Sequence, residues 1–222
     1  MAAFQPLPRF CAVCPMYRSV IIVDDFYDHP DQVRRAALSL AYPPREGPLT
    51  FPGRNSQRKV EPPGMTQAIS SIVGEPLTPA KGEGAFHCHF RITLAGEPSR
   101  YKVHVDPNRL AWVGVIYLSQ PTDCRGGTAF FRHRGLASDR TPTDAAELAA
   151  LGVSSLAELL RRDGNDAAAW DEVMTLPMRF NRAVLYRPWL WHSAGEAFGD
   201  QLENGRLIQL LAFEPAMAAA PA

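Results

Sequence analysis

No stretch of the chain approaches the roughly 18 consecutive apolar residues that a helix needs to cross a bilayer. The opening MAAFQPLPRF also lacks a basic start followed by an apolar core. A soluble, unexported, cytoplasmic protein with no membrane partner is expected. An excess of charge of one sign is equally missing. Lys plus Arg and Asp plus Glu each number 23, giving a net charge of zero, so no global field favours nucleic acid or an acidic surface. Cysteine is scarce: Cys11, Cys14, Cys88 and Cys124 do not suggest the disulfide framework of a small secreted domain, and reduced thiols are expected. There is no internal repeat at a fixed period. What is present is a loop-rich globular composition, 46% hydrophobic with 20 prolines and 16 glycines in 222 residues, which suits one domain over 1–222.

Along the chain, RSVIIV (18–23) reads as a strand. It leads through Asp24 and Asp25 into FYDHPDQVRRAALSLAY, where Val33, Ala36, Ala37 and Leu40 follow a helical period. Residues 43–64 form a long loop rich in Pro and Gly, and MTQAISSIV (65–73) predicts a short helix. This first part, 1–84, is read as support. From Ala85 the signal changes to alternation, with Phe86, Cys88, Phe90, Ile92 and Leu94 on one face and His87, His89, Arg91 and Thr93 on the other. Further strands are expected at 101–106, 111–118, 128–132, 180–186 and 206–213, so 85–213 is a β core in the form of a barrel or sandwich. An Ala- and Leu-rich helical insertion, 143–175, interrupts it, and 214–222 is a tail.

Residues two apart on a strand share a face, so His104-x-Asp106 would present an imidazole and a carboxylate side by side, about 7 Å apart at the backbone. A third ligand must come from elsewhere. His192 follows the strand-like NRAVLY and the turn PWLW, and His133 in FFRHRG competes with it. Two histidines and one carboxylate on one face of an octahedron leave open positions, the arrangement that suits ferrous iron and O2 activation. An α-keto acid filling two of those positions needs a cation for its far carboxylate. Arg206, fourteen residues after His192 and opening the last strand, offers a bidentate fork.

His-x-Asp, a distal His and a basic residue on the next strand resemble the 2-oxoglutarate/Fe(II)-dependent oxygenase superfamily. Tyr101-x-x-His104-x-Asp106 and Gly126-Gly127-Thr128 are similar to its prolyl-hydroxylase branch. The N-terminal DDFYDHPDQVRRAAL followed by a proline-rich loop resembles a bacterial group of oxygenase-like proteins without a settled function. The resemblance implies a mainly β protein with flanking helices, built on a double-stranded β-helix (jelly-roll, cupin-like) barrel. It further implies Fe(II) on His104, Asp106 and His192, with 2-oxoglutarate as co-substrate on Arg206, and O2. Hydroxylation of a small molecule or a peptide or protein side chain, with release of succinate and CO2, would follow. Many members carry Ser or Thr two residues after the arginine. Here that residue is Ile208, so Tyr101 or Tyr186 is expected to supply the hydroxyl.

His87, His89 and Arg91 are expected to line the mouth and meet substrate, although His87, Cys88 and His89 together also raise a second metal site. Cys11-x-x-Cys14 has metal-site spacing with no second pair to complete it. The loop 43–58 and the insertion are candidate lids. Two other readings remain: a non-catalytic binding protein on the same barrel, and a cupin-like metalloenzyme that uses no keto acid.

Overall fold

Period-two side-chain alternation sorts the long apolar runs onto two faces of one sheet, and that sorting builds the molecule. The computed structural model of the protein describes residues 17–44, 51–82 and 85–216. In order, it contains β1 (Val20–Val23), α1 (Pro30–Leu38), β2 (Arg54–Asn55), α2 (Met65–Val73), β3 (Leu77–Pro79), β4 (Phe90–Thr93), β5 (Trp112–Tyr117) and β6 (Gly127–His133). There follow α3 (Ala145–Ala150), α4 (Leu156–Asp163), a short 3-10 turn, β7 (Trp170–Pro177), β8 (Ala183–Tyr186), β9 (His192–Ser193) and β10 (Arg206–Pro215).

All strand pairs are antiparallel. The large sheet runs β1-β8-β5-β10-β4-β2, with β3 also on β10, and a smaller sheet runs β7-β6-β9. On the large sheet, Trp112, Ile116, Leu185, Leu207, Leu211 and Phe213 face α1 and α2 and form one core with Ala37, Ile69 and Val73. The alternate residues Val113, Val115, Val184, Ile208 and Leu210 face the small sheet and pack against its Phe130 and Leu176. Arg206, Tyr117 and Tyr186 share that inner parity, which carries a charge and two phenols into the space between the sheets. Where Gly127 opens β6, a Cβ would lie 1.9 Å from the carbonyl oxygen of Leu176, so only glycine permits that approach of β6 to β7.

Capping chemistry sets α3 and α4. Asp144 accepts the Glu147 N–H and Ser155 accepts the Glu158 N–H, while Glu158 Oε2 accepts from Ser154, in the manner of a capping box. Leu159 buries the helix against Val103, Phe131, Trp170 and Trp191.

The observed elements differ from the sequence-based expectations in three places. The helical segment ends at Ala169, and 170–177 is the strand β7, paired with β6 through seven residue pairs. The strand expected over 101–106 is instead an irregular segment that meets β9 by a single bridge, His104 with His192. The strand expected from Ala85 begins only at Phe90, because Cys88 adopts a left-handed backbone, φ 59°, that breaks the pleat. No helix among the described residues is long and apolar enough to cross a membrane.

Candidate metal centre

The single bridge between the irregular segment and β9 assembles the site. His104 N–H donates to the His192 carbonyl and His192 N–H to the His104 carbonyl, both at 2.9 Å. This directly opposed pairing brings the rings to 4.4 Å between centroids. Asp106 N–H donates to the Pro188 carbonyl at 3.0 Å, and this turns its carboxylate toward the same space, Oδ2 at 3.4 Å from His192 Nε2. His104 completes the set by ring proximity, and its Nδ1 is buried without a hydrogen-bond partner among the described residues.

Proton placement decides which nitrogens can act as ligands. His192 Nδ1 lies 2.9 Å from the Leu190 carbonyl, which accepts only, so the proton sits on Nδ1 and the Nε2 lone pair faces Asp106. Burial holds His104 down to about 3, with the neighbouring His192 adding to the shift, and burial holds His192 down to about 4. Both rings are therefore neutral lone-pair donors at neutral pH. Burial raises Asp106, against the opposing effects of His104 and Arg91. A carboxylate short of counter-charge beside two neutral imidazoles is the donor set that a divalent first-row ion completes.

A cavity of about 350 Å³ opens on these three residues, and Arg91, Tyr101, Tyr186 and Arg206 line it too. Arg206 is 2% exposed. Among the described residues its Nε has no partner and no carboxylate forms an ion pair with it. Burial lowers its affinity for the proton, against Tyr117 and Tyr186. Tyr186 packs edge-on to His192 at 4.8 Å. Tyr101 also lines the cavity. Arg91 lies over the Phe51 ring at 3.4 Å and donates from Nε to Asn55 Oδ1.

Sequence reasoning missed Thr128 and Tyr117. Thr128 lines the cavity. Its Oγ1 lies 2.7 Å from the Tyr117 hydroxyl, and the Arg206 guanidinium carbon is 5.9 Å from the Tyr117 ring centroid. Inner parity on β5 was the available signal for Tyr117. Thr128 stood in the Gly126-Gly127-Thr128 motif, but nothing local marked its hydroxyl as part of the cavity, because its neighbour arrives from the other sheet.

Other expected residues lie elsewhere. His87 and His89 are not among the cavity-lining residues. His89 Nδ1 contacts the Ser56 carbonyl at 2.9 Å. His133 has both nitrogens engaged, Nε2 with Asp163 at 2.9 Å and Nδ1 accepting the Leu136 N–H, so it offers no free lone pair. Cys11 and Cys14 fall outside the described residues. Glu61, His87 and Cys88 do bring three donor atoms within 4.8 Å of one another. There, however, His87 Nδ1 accepts the Ala212 N–H, which puts the proton of the neutral ring on Nε2, the nitrogen facing Glu61 and Cys88. Burial also pushes the Cys88 thiol up to about 12. That cluster is a hydrogen-bonded group, whereas the tautomer of His192 is the ligand form.

The sequence profile of one family, a family of unknown function designated DUF6445, matches residues 9–209. No curated protein sequence matches the chain. Among solved structures, the chain is similar to HygX from Streptomyces hygroscopicus, determined with nickel, 2-oxoglutarate and hygromycin B bound. The two are 13% identical over 90% of this chain and 84% of that one, with a TM-score of 0.51. It is likewise similar to SnoK, a non-heme alpha-ketoglutarate dependent carbocyclase from nogalamycin biosynthesis, at 13% identity over 89% and 80% of the two chains, TM-score 0.51. At such identity the likeness establishes a shared fold.

Proposed function

The chain belongs to the family of unknown function DUF6445, and within it we propose that this protein is a non-haem Fe(II)- and 2-oxoglutarate-dependent oxygenase on a double-stranded β-helix. His104, Asp106 and His192 would hold the iron. Arg206 would pair with the far carboxylate of 2-oxoglutarate, and the Tyr117–Thr128 hydroxyl pair beside it would take the part of the Ser or Thr that Ile208 replaces. The observation that carries the reading is Arg206 itself. A guanidinium 2% exposed, with no described carboxylate partner, stands in the same cavity as two neutral imidazoles and a carboxylate. A dianionic chelator reaching from metal to guanidinium would satisfy both ends at once. Iron and 2-oxoglutarate bound there would supply an O2-dependent oxidation in which the keto acid leaves as succinate and CO2 and substrate receives an oxygen atom.

The chain's own residues prepare that chemistry. The Leu190 carbonyl orients His192 and fixes its tautomer. Tyr186 walls the site against its ring. Burial keeps both imidazoles unprotonated. Substrate would enter beside Tyr101 and Arg91, and the cavity volume suits a small molecule or a single side chain of a peptide or protein. The fold shared with HygX and SnoK supports a small-molecule substrate.

The test is an anaerobic titration of metal-free protein with Fe(II) and then 2-oxoglutarate, following the weak visible charge-transfer band of the chelate. The band should appear in the wild type and be absent in His104→Ala. Iron binding without a band would point to a metalloenzyme that uses no keto acid. Absence of iron binding would leave a non-catalytic binding protein.

A further inference from the structure

We infer that the turn closing α4, Asp163-Gly164-Asn165, is a positioning device for the segment carrying His104 and Asp106, with Asn165 as its acting residue. The inference rests on the metal reading of those two residues.

Among the described residues, the segment leading to His104 has no strand partner on the side away from β9. What it has is the turn. Lys102 N–H donates to Asn165 Oδ1 at 2.8 Å, Asn165 Nδ2 donates to the Arg100 carbonyl at 2.8 Å, and Val103 N–H donates to the Gly164 carbonyl at 3.0 Å. The carboxamide does what a neighbouring strand would do, accepting one N–H and donating to a carbonyl two residues earlier. Asp in its place could accept but not donate, and Ala could do neither. On the other side, the long-range bonds are the His104–His192 exchange and Asp106 to Pro188. The ligand segment is thus suspended between β9 and the turn.

The turn is itself anchored. Asp163, with an 8% exposed side chain, accepts from His133 Nε2 on β6 at 2.9 Å and from Arg162 Nε at 2.7 Å, while its carbonyl accepts the Trp170 indole N–H. Gly164 leaves room for Tyr101, which a Cβ there would meet at 3.0 Å. Hydrogen bonds at the two ends of this three-residue turn tie β6, through Asp163, and the residues just before His104, through Gly164 and Asn165, to one short piece of backbone. Because Asn165 is exposed, its loss removes orientation from the ligand segment and little from the core.

Full-length Asn165→Ala and Asn165→Asp, each metal-free, would be titrated with Co(II), followed by its visible ligand-field absorption, and melted without metal. Asn165→Ala should melt within a few degrees of wild type yet bind Co(II) about 10-fold or more weakly, with an altered ligand-field spectrum. Asn165→Asp should fall between the two, and it serves as the readable variant if the alanine form fails to fold. Wild-type Co(II) affinity and spectrum in Asn165→Ala would overturn the positioning role alone. A wild-type protein that takes up no Co(II) would overturn the metal reading itself.

Discussion

A guanidinium withdrawn from water is costly unless a negative charge meets it, and Arg206 holds that position with Nε unpartnered. Replacing it with methionine, which keeps much of the length and loses the charge, should have two opposite effects. The metal-free protein should melt no lower than wild type, because no described ion pair is broken. The affinity for 2-oxoglutarate should fall by at least about 30-fold, the cost of leaving a desolvated carboxylate without its partner. Thermal melting and calorimetric titration with Fe(II) present check the pair of outcomes, and a lower melting point with unchanged affinity would contradict both. At this scale the sequence marked residue types well and proton positions not at all. His87 and His192 look alike in the chain, yet one ring nitrogen faces a backbone N–H and the other a carbonyl. The partner of His87, Ala212, lies on a strand 125 residues away, and that of His192, Leu190, lies two residues back in a turn whose shape the sequence does not spell out.

Among the elements, α4 lies in the insertion that was read as a candidate lid, and it both packs Leu159 into a core and lines the cavity with Leu160. Leu159 is fully buried among Val103, Val153, Trp170 and Trp191, so Leu159→Ala should cost about 2–5 kcal/mol through lost burial and an unfilled space. Because Val103 adjoins His104 in the chain, metal affinity should weaken with it. Chemical denaturation and Co(II) titration would show the two losses together, while a mobile cover predicts a loss of neither. The helices were legible from apolar period and composition, and β5, β8 and β10 from their apolar runs. The segment 101–106 misled because YKVHVD alternates like a strand, whereas its N–H groups go one by one to a turn and a loop as well as to β9: Lys102 to Asn165, Val103 to Gly164, His104 to His192 and Asp106 to Pro188. β7 was hidden because Trp170 to Pro177 follows an alanine-rich helical stretch without a break in composition, and its identity depends on pairing with β6. Asn165 read only as part of the helical insertion 143–175, since the backbone it grips lies more than sixty residues earlier.

For the molecule as a whole, the histidines that desolvation depresses should govern its response to acid. His87, His104 and His192 are all depressed chiefly by burial, His104 to about 3 and His192 to about 4, while the unfolded chain takes up those protons near 6.5. Below that value the unfolded state binds more protons than the native one. The stability of the metal-free protein is therefore whole above about 6.5 and falls as pH drops toward 4, with a slope of up to about 1.4 kcal/mol per pH unit for each histidine. Asp106, raised by burial, works in the opposite sense at the lower end, since its native form takes a proton before the unfolded one does, but one carboxylate does not outweigh three imidazoles. Ordinary carboxylates, half protonated near 4, begin to titrate about one unit above that, so the window from about 6.5 to 5.5 is the one the histidines dominate. Urea denaturation across that window should give a falling stability whose slope is reduced in His87→Gln, a variant outside the metal site. A bound divalent ion requires neutral rings at His104 and His192, so its stabilising effect should shrink through the same window as protons compete for the lone pairs. A stability flat from pH 7 to 5 in the metal-free protein would mean that these rings are not held unprotonated, and the ligand tautomer assigned to His192 would lose its physical basis.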